Sequence, residues 1–170
     1  MGRMRGRFLS GALVFSSLIV ILFPASAADS SVQTAPTVDS PGCAAQVESF
    51  LNGKLAFWQP RLKLADWKIS IVMSSASDLK PKTLGNIHWD APKKSAVIRV
   101  LRASEYQLSC RGMLDDMEMT VVHELVHLEL SSLPRSQASR REEEHAVNRI
   151  ADALLALERA NDAAAVQASR

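Results

Sequence analysis

One segment of this 170-residue chain, His123-Glu124-Leu125-Val126-His127, has residue types and a spacing that suit metal chemistry. In an α-helix, residues four apart lie one turn above each other, so His123 and His127 can ligate one metal ion. Glu124 lies about 100° further round the helix, within reach of a water bound to that ion. Zinc lowers the pKa of such a water to about 7, and a glutamate can then remove its proton. The segment predicts a zinc site with Glu124 as the general base.

The residues around this segment predict a buried helix. Asp115 or Asp116 is a suitable N-cap, and the helix is expected to run to about Leu130. Two histidines and a glutamate inside an apolar helix are costly unless their polar atoms are satisfied. The alternative, an amphipathic helix that exposes these three side chains by chance, is therefore disfavoured. The apolar residues that surround the motif are Met117, Val121, Val122, Leu125, Val126 and Leu128.

A catalytic zinc site needs a third protein ligand and an open fourth position. A downstream His-x-x-Gly-x-x-His arrangement is absent, because Leu130 and Leu133 occupy the Gly and the last His positions. The third ligand is therefore expected in the last predicted helix, from about Arg141 to Leu157. The candidates are Glu142, Glu143, Glu144 and His145.

Angular positions at 100° per residue separate these candidates. The apolar side of the last helix is expected to consist of Val147, Ile150, Leu154 and Leu157. His145 and Glu142 then face solvent. Glu143 points into the apolar side and Glu144 lies at its border, so both remain possible ligands.

The His-Glu-x-x-His helix followed by a glutamate on a second helix resembles the gluzincin metallopeptidases, whose best-known form is the thermolysin type. In that group an Asp or Asn one turn after the ligand Glu supports a ligand histidine, and Glu144 with Asn148 matches this pairing. The run 144–151 also resembles the third-ligand helix of very small bacterial and phage metallopeptidases. The resemblance implies a zincin-like fold with one zinc held by His123, His127 and Glu144.

The chain departs from the larger gluzincins in one respect. Those enzymes carry a further domain after the ligand Glu, which supplies a residue that stabilises the oxyanion, whereas only 26 residues follow Glu144 here. Any such donor would come from upstream, and His88 and Tyr106 are the candidates beside the zinc itself. Structural or packing roles are the alternatives for both side chains.

Residues 1–27 have the three parts of a secretory signal peptide, with cleavage expected after Ala27; an uncleaved membrane anchor is the alternative. Residues 28–42 are expected to form a flexible linker, 43–157 the folded domain and 158–170 a C-terminal tail. The protein is thus expected to be periplasmic or secreted, without stable membrane insertion once the signal is removed. The signal consists of basic Arg3, Arg5 and Arg7, the apolar run 8–23 and small residues before the cut.

If the protein is exported, its two cysteines, Cys43 and Cys110, are expected to have a structural role. They are the only cysteines, and in an oxidising compartment they are expected to form a disulfide that bridges the first half of the domain. Two unpaired buried thiols are the alternative. Neither cysteine has another Cys or His close by, which argues against a zinc site there.

Four segments before the motif complete the predicted fold. A helix is expected over 44–58, ended by Pro60, and three strands over 67–73, 84–89 and 95–101. With the two helices that follow, the order is α-β-β-β-α-α. This order predicts an α+β domain with a small, mostly antiparallel three-stranded sheet.

Charge and composition narrow the possible partners. The apolar fraction of 47% excludes a disordered chain. Without residues 1–27 there are 17 basic and 18 acidic residues, so a nucleic-acid partner is not expected.

The best-supported function is an exported zinc peptidase acting on a peptide or protein substrate, which would pair with strand 95–101. The alternatives are a zinc-stabilised scaffold domain, a latent peptidase with its tail in the cleft, and another zinc hydrolase such as an amidase.

Overall fold

A computed structural model describes residues 41–134 and 136–170. The predicted signal peptide and residues 28–40 of the predicted linker lie outside these ranges. Within them, no helix is long and apolar enough to cross a membrane.

Three helices and three strands follow one another in the order α-β-β-β-α-α, joined by short turns. An N-terminal helix precedes the sheet and two helices follow it, which confirms the α+β class. The elements are α1 (Pro41–Arg61), β1 (Lys68–Ser74), β2 (Gly85–Asp90), β3 (Ser95–Leu101), α2 (Cys110–Glu129) and α3 (Gln137–Ala168).

The sheet is mixed, with the strand order β1-β3-β2. Strand β3 pairs antiparallel with β2 and parallel with β1, so only one of the two pairs has the predicted antiparallel direction. The cause is the β2–β3 hairpin, which folds β3 back between β1 and β2. As a result β3 is the central strand, with Ile98 and Val100 fully buried, and β2 is an edge strand.

Helix α1 packs one face against the rest of the domain. Its buried residues recur every three or four positions, as expected for one side of a helix: Cys43, Val47, Leu51, Leu55 and Trp58. The helix is longer than predicted at both ends. It begins at Pro41, which suits a first helical position, and it includes Pro60 in its last turn before ending at Arg61.

Helix α2 begins nearly two turns earlier than predicted. Its N-cap is Ser109, whose hydroxyl accepts a hydrogen bond from the Gly112 N–H at 3.2 Å. The predicted cap residues have other partners: Asp115 pairs with Arg111, and Asp116 accepts from Tyr106. The predicted helix start was wrong because an aspartate can also lie inside a helix when a neighbouring side chain pairs with it.

A buried polar contact fixes α2 against α1. The Glu118 carboxylate accepts from the Trp58 indole N–H at 3.0 Å and pairs with the Lys54 ammonium at 2.8 Å. A buried carboxylate is tolerated only with such partners, so this contact specifies how the two helices are aligned. It lies one and a half turns before the His-Glu-x-x-His segment on the same helix.

Helix α3 differs from prediction in both its length and its buried side. Ser136 and Ser139 form a capping box at its start, and it continues to Ala168, so most of the predicted tail is helical. The alanines of this region are strong helix formers. The buried side consists of Val147, Ala151 and Leu155, spaced by four, whereas the predicted core residues Ile150 and Leu157 are exposed.

A disulfide joins Cys43 to Cys110, as predicted, with their Cα atoms 5.9 Å apart. It connects the first turn of α1 to the first turn of α2. Because Cys110 opens the helix that carries the His-Glu-x-x-His segment, the bridge ties that helix directly to the start of the domain.

We expect the double substitution Cys43→Ala/Cys110→Ala to lower the free energy of unfolding by about 4 kcal/mol, since the bridge closes a loop of 67 residues. Urea unfolding followed by circular dichroism would measure this difference. Reducing the wild-type protein should reproduce the effect, and reductant should leave the double variant unchanged. Equal stabilities of the oxidised wild type and the double variant would contradict the expectation.

Candidate metal centre

Three possible ligand atoms meet between α2 and α3. The Nε2 atoms of His123 and His127 are 3.1 Å apart, and each lies 3.4 Å from a carboxylate oxygen of Glu144. His123 and His127 lie one turn apart on α2, and Glu144 comes from the second turn of α3. The structure thus brings together the three residues predicted as metal ligands.

These separations match the geometry of a tetrahedral zinc ion. With zinc–nitrogen bonds of about 2.0–2.1 Å, tetrahedral ligand atoms are about 3.3 Å apart. The two Nε2 atoms are 3.1 Å apart, and they lie 3.4 Å from the two different carboxylate oxygens of Glu144, close to that value; one ligand atom from each residue lies within 4.8 Å of the others. Two imidazole nitrogens and one carboxylate oxygen are also a donor set that zinc prefers. The three side chains therefore fit zinc, with a fourth position left on the open side.

The outer nitrogens of both histidines are held by residues of α3. The Nδ1 atom of His123 lies 3.0 Å from Oδ1 of Asn148, and Nδ1 of His127 lies 3.0 Å from Oε1 of Glu143. Both oxygens are acceptors, so each Nδ1–H donates and leaves the Nε2 lone pair directed at the shared point. Such contacts fix the tautomer and the ring orientation of metal ligands.

Glu143, the alternative ligand in the sequence analysis, thus orients His127 while Glu144 faces the shared point. The two residues are adjacent on α3, so their side chains leave the helix in directions about 100° apart. Glu143 is the more buried of the two, with a side chain 16% exposed against 56% for Glu144. The angular analysis placed both near the site but did not reveal that Glu143 bonds a histidine.

The electrostatic surroundings favour a neutral His123. Burial lowers its pKa, and the neighbouring His127 lowers it further, whereas Glu144 and Asn148 act in the opposite direction. A neutral imidazole is the form that binds a metal, so burial of this part of α2 favours ligation.

Glu124 lies buried beside the histidines. Desolvation raises the pKa of its carboxyl to about 7, the charge of Glu144 raises it as well, and His127, Lys80 and the backbone N–H of Ile87 lower it. A carboxyl with a pKa near neutrality is suited to taking up and giving back a proton at physiological pH. The position therefore has the properties of a general base.

Strand β2 approaches α2 closely at Gly85. A Cβ atom at this position would contact the Thr120 side chain, and it would lie 2.7 Å from the Arg99 carbonyl oxygen and 3.7 Å from a Glu124 carboxylate oxygen. Only glycine allows the strand to lie this close to the helix. Gly85 was not among the predicted site residues, although a glycine in a strand often marks such an approach.

The three candidate ligand residues open onto a cleft of about 590 Å³. One wall consists of β2 and the loop before it, α2 forms the floor, and the first turns of α3 form the other wall. Besides the ligands, its polar lining comprises Lys80, Lys82, Thr83, Asn86, Asp116, Thr120, Glu124, Arg140, Glu143 and Asn148.

The two predicted oxyanion donors do not line this cleft. His88 has an exposed side chain on β2, because alternation along the strand turns it away from Ile87 and Trp89, which pack toward the core. Tyr106 is buried, and its hydroxyl donates to Asp116 at 2.9 Å. Burial and the charge of Asp116 raise the pKa of Tyr106, so it remains a neutral donor to that carboxylate.

Comparisons with the whole chain found no matching protein-family model, curated protein or solved structure. Function is therefore inferred from the side chains of the cleft.

We expect the protein to bind one zinc ion per chain, measured by isothermal titration of metal-free protein. Glu144→Ala should weaken zinc binding strongly, because it removes one of three ligand atoms, while Glu142→Ala is the matched control with an exposed side chain. Asn148→Ala should have an intermediate effect of about 10- to 100-fold. Equal affinities for Glu144→Ala and Glu142→Ala would contradict the ligand assignment.

We expect Gly85→Ala to destabilise the domain by about 1–3 kcal/mol, since the added methyl group must displace the Arg99 backbone or the Thr120 side chain. Thermal unfolding would measure the change. Gly53→Ala is the control, because a Cβ there would have nothing within 4 Å. A similar stability for both variants would show that β2 can move away from α2 without cost.

Proposed function

We propose that this protein is a zinc-dependent peptidase that hydrolyses peptide bonds, with His123, His127 and Glu144 as the metal ligands and Glu124 as the general base. The observation that carries the proposal is a buried carboxylate placed next to three converging ligand atoms in an open cleft. A site built only to hold zinc has no use for Glu124, because this carboxylate is not one of the three ligands.

Each residue of the cleft has a definable role in such a reaction. Bound zinc would supply a Lewis acid that polarises the substrate carbonyl and makes a water molecule more acidic. The Glu124 carboxylate would accept the proton of the attacking water and pass it to the leaving amine. Asn148 and Glu143 would keep the histidine rings oriented through their Nδ1–H groups.

The substrate would bind along β2. Strand 95–101, which was predicted to pair with the substrate, is β3; it has neighbours on both sides and therefore no free edge. Next to the β2–β3 pair, the Leu101 N–H donates to the Leu84 carbonyl at 2.8 Å, so Leu84 and Leu101 are a hydrogen-bonded pair. Along antiparallel strands, hydrogen-bonded pairs alternate with pairs whose backbone groups point away from the partner strand. The backbone of Gly85 and the carbonyl of Ile87 therefore face away from β3, toward the cleft, where an extended peptide can add as a further strand, while the Ile87 N–H faces Glu124.

A gluzincin-like assignment rests on the helix pair that carries the ligands. The relation of His123, His127, Glu144 and Asn148 resembles that group, and the geometry of the described residues is consistent with it. The cleft includes no lining residue beyond Asn148, so the C-terminal part of α3 does not cover it. This arrangement argues against a latent form in which residues 158–170 occupy the cleft.

The predicted signal peptide fits this proposal when it is taken with the disulfide. Disulfides persist mainly in oxidising compartments, so the Cys43–Cys110 bridge is consistent with an exported protein. We therefore place the proposed peptidase in the periplasm or outside the cell.

We expect Glu124→Gln to retain zinc and the fold but to lower the rate of peptide hydrolysis by about 100-fold or more, because the general base is lost. A peptide library incubated with zinc-loaded protein and analysed by mass spectrometry would measure the rate. Glu129→Gln is the matched control, since Glu129 is an exposed glutamate on the same helix.

Two outcomes of this experiment would oppose the proposal. If the wild type and Glu124→Gln were equally inactive on every peptide and folded protein tested, a zinc-stabilised scaffold would explain the site better. If Glu124→Gln hydrolysed peptides at the wild-type rate, as the control Glu129→Gln is expected to do, Glu124 would not be the base.

A further inference from the structure

Three cationic side chains line the cleft beside the metal centre. Lys80 and Lys82 come from the loop before β2, and Arg140 comes from the first turn of α3. These residues are far apart in the chain and reach the same cleft from two different elements. None of them belongs to the ligand set or is needed for the proposed proton transfer.

The carboxylates of the cleft face hydrogen-bond donors or the metal site, whereas the three cations make no close ion pair with them. Asp116 accepts from Tyr106, Glu143 from His127, and Glu144 faces both histidines. Lys80 interacts electrostatically with Glu124, and the Ile87 backbone N–H faces the same carboxylate. Among the described residues, by contrast, no carboxylate lies within ion-pair distance of Lys80, Lys82 or Arg140. The described lining has three cations and four carboxylates, so a bound zinc ion would give the cleft a net charge of +1, and the three cations are then placed to meet an anionic ligand.

The backbone holds two of these cations in a defined turn. The Thr83 N–H donates to the Lys80 carbonyl at 3.1 Å, and the Thr83 hydroxyl donates to the same oxygen at 2.8 Å. Pro81 and Lys82 are the central residues, and Lys82 has a φ of 65°. In a turn with proline first, a positive φ at the second central position favours glycine. A lysine there is strained relative to glycine, as it is at Lys63 and Lys94 outside the cleft, so a glycine at position 82 would remove the charge without loss of stability.

Arg140 gains nothing from the helix dipole, although Glu143 and Glu144 follow it at helical spacing. It lies in the first turn of α3, which contains no acidic residue. The helix dipole makes this end positive, so a cation there is repelled by the helix. The same arrangement strengthens the attraction for an anion in the cleft, because the guanidinium and the helix N-terminus act together.

We propose that the cleft selects peptides that carry a carboxylate close to the bond to be cleaved, bound by Lys80, Lys82 and Arg140. This inference rests on the proposed peptidase function and specifies its substrate class as acidic peptides. The carboxylate can come from an Asp or Glu side chain or from the free C-terminus of the peptide. The two sources are distinguished by amidating the C-terminus.

Binding is measured with zinc-loaded Glu124→Gln protein, so that the readout does not depend on hydrolysis. The probes are fluorescein-labelled alanine-rich octapeptides with one central Glu, Gln or Lys, each amidated at the C-terminus, and the Gln peptide with a free C-terminus. Fluorescence anisotropy should show at least about 10-fold tighter binding of either the Glu peptide or the free-acid peptide than of the amidated Gln peptide. The preference should weaken as salt is added.

Variants in the same background assign the preference to the three cations. Lys82→Gly should reduce the carboxylate preference by about 3- to 10-fold while leaving the thermal stability equal or higher, because glycine suits the positive φ. Lys63→Gly is the matched control: Lys63 also has a positive φ, 59°, but does not line the cleft. Arg140→Gln should reduce the preference in the same way, and its exposed neighbour Arg141 provides the control Arg141→Gln.

The proposal is overturned if all four peptides bind equally, if the Lys peptide binds best, or if the control variants reduce the preference as much as the cleft variants do. These results are separate from a failure of the proposed function. Hydrolysis by the wild type without any preference for carboxylates would overturn only the substrate class. A carboxylate preference in binding, together with an inactive wild type, would support the anion site and count against the peptidase.

Discussion

The mutual repulsion of three electron-pair donors is the constraint on which the rest of the structure depends. The Nε2 atoms of His123 and His127 and the Glu144 carboxylate lie within 3.4 Å of one another, an arrangement that is unfavourable unless a cation or a proton lies between them. The fold must hold them there before any ion arrives. Helix α2 does so by being buried on most sides and fixed to α1 through Glu118 and the disulfide.

Burial has two consequences in the same stretch of α2. It favours neutral His123, which can ligate a metal, and it raises the pKa of Glu124 into the range where a carboxyl can exchange protons. Both effects arise because a charged side chain loses its hydration when it is buried. The packing of this one stretch of α2 therefore suits His123 to metal binding and Glu124 to proton transfer. The close approach at Gly85 completes this burial, because it lets the Ile87 N–H reach the Glu124 carboxylate.

Local patterns in the sequence predicted the elements and the disulfide partners, since helix periodicity, strand alternation and cysteine pairing depend on few residues. The spacing of His123 and His127 placed two rings on one face for the same reason. The position of β3 in the sheet and the contact between Glu143 and His127 were not predictable in this way. They depend on which strands lie next to each other and on how α3 is rotated against α2, and residues distant in the chain decide both.

The proposed metal site and the opposite wall of the cleft come from separate segments of the chain, and this separation has an evolutionary consequence. Among the described residues, the three proposed ligands and the side chains that bond their rings lie between His123 and Asn148, on two consecutive helices. The opposite wall of the cleft comes from residues 80–89. Mutations in this wall can therefore alter what the cleft accepts without touching the helical hairpin that holds the ligands. A lineage built on this chain can diversify its targets through one loop and one edge strand while inheriting its chemistry unchanged.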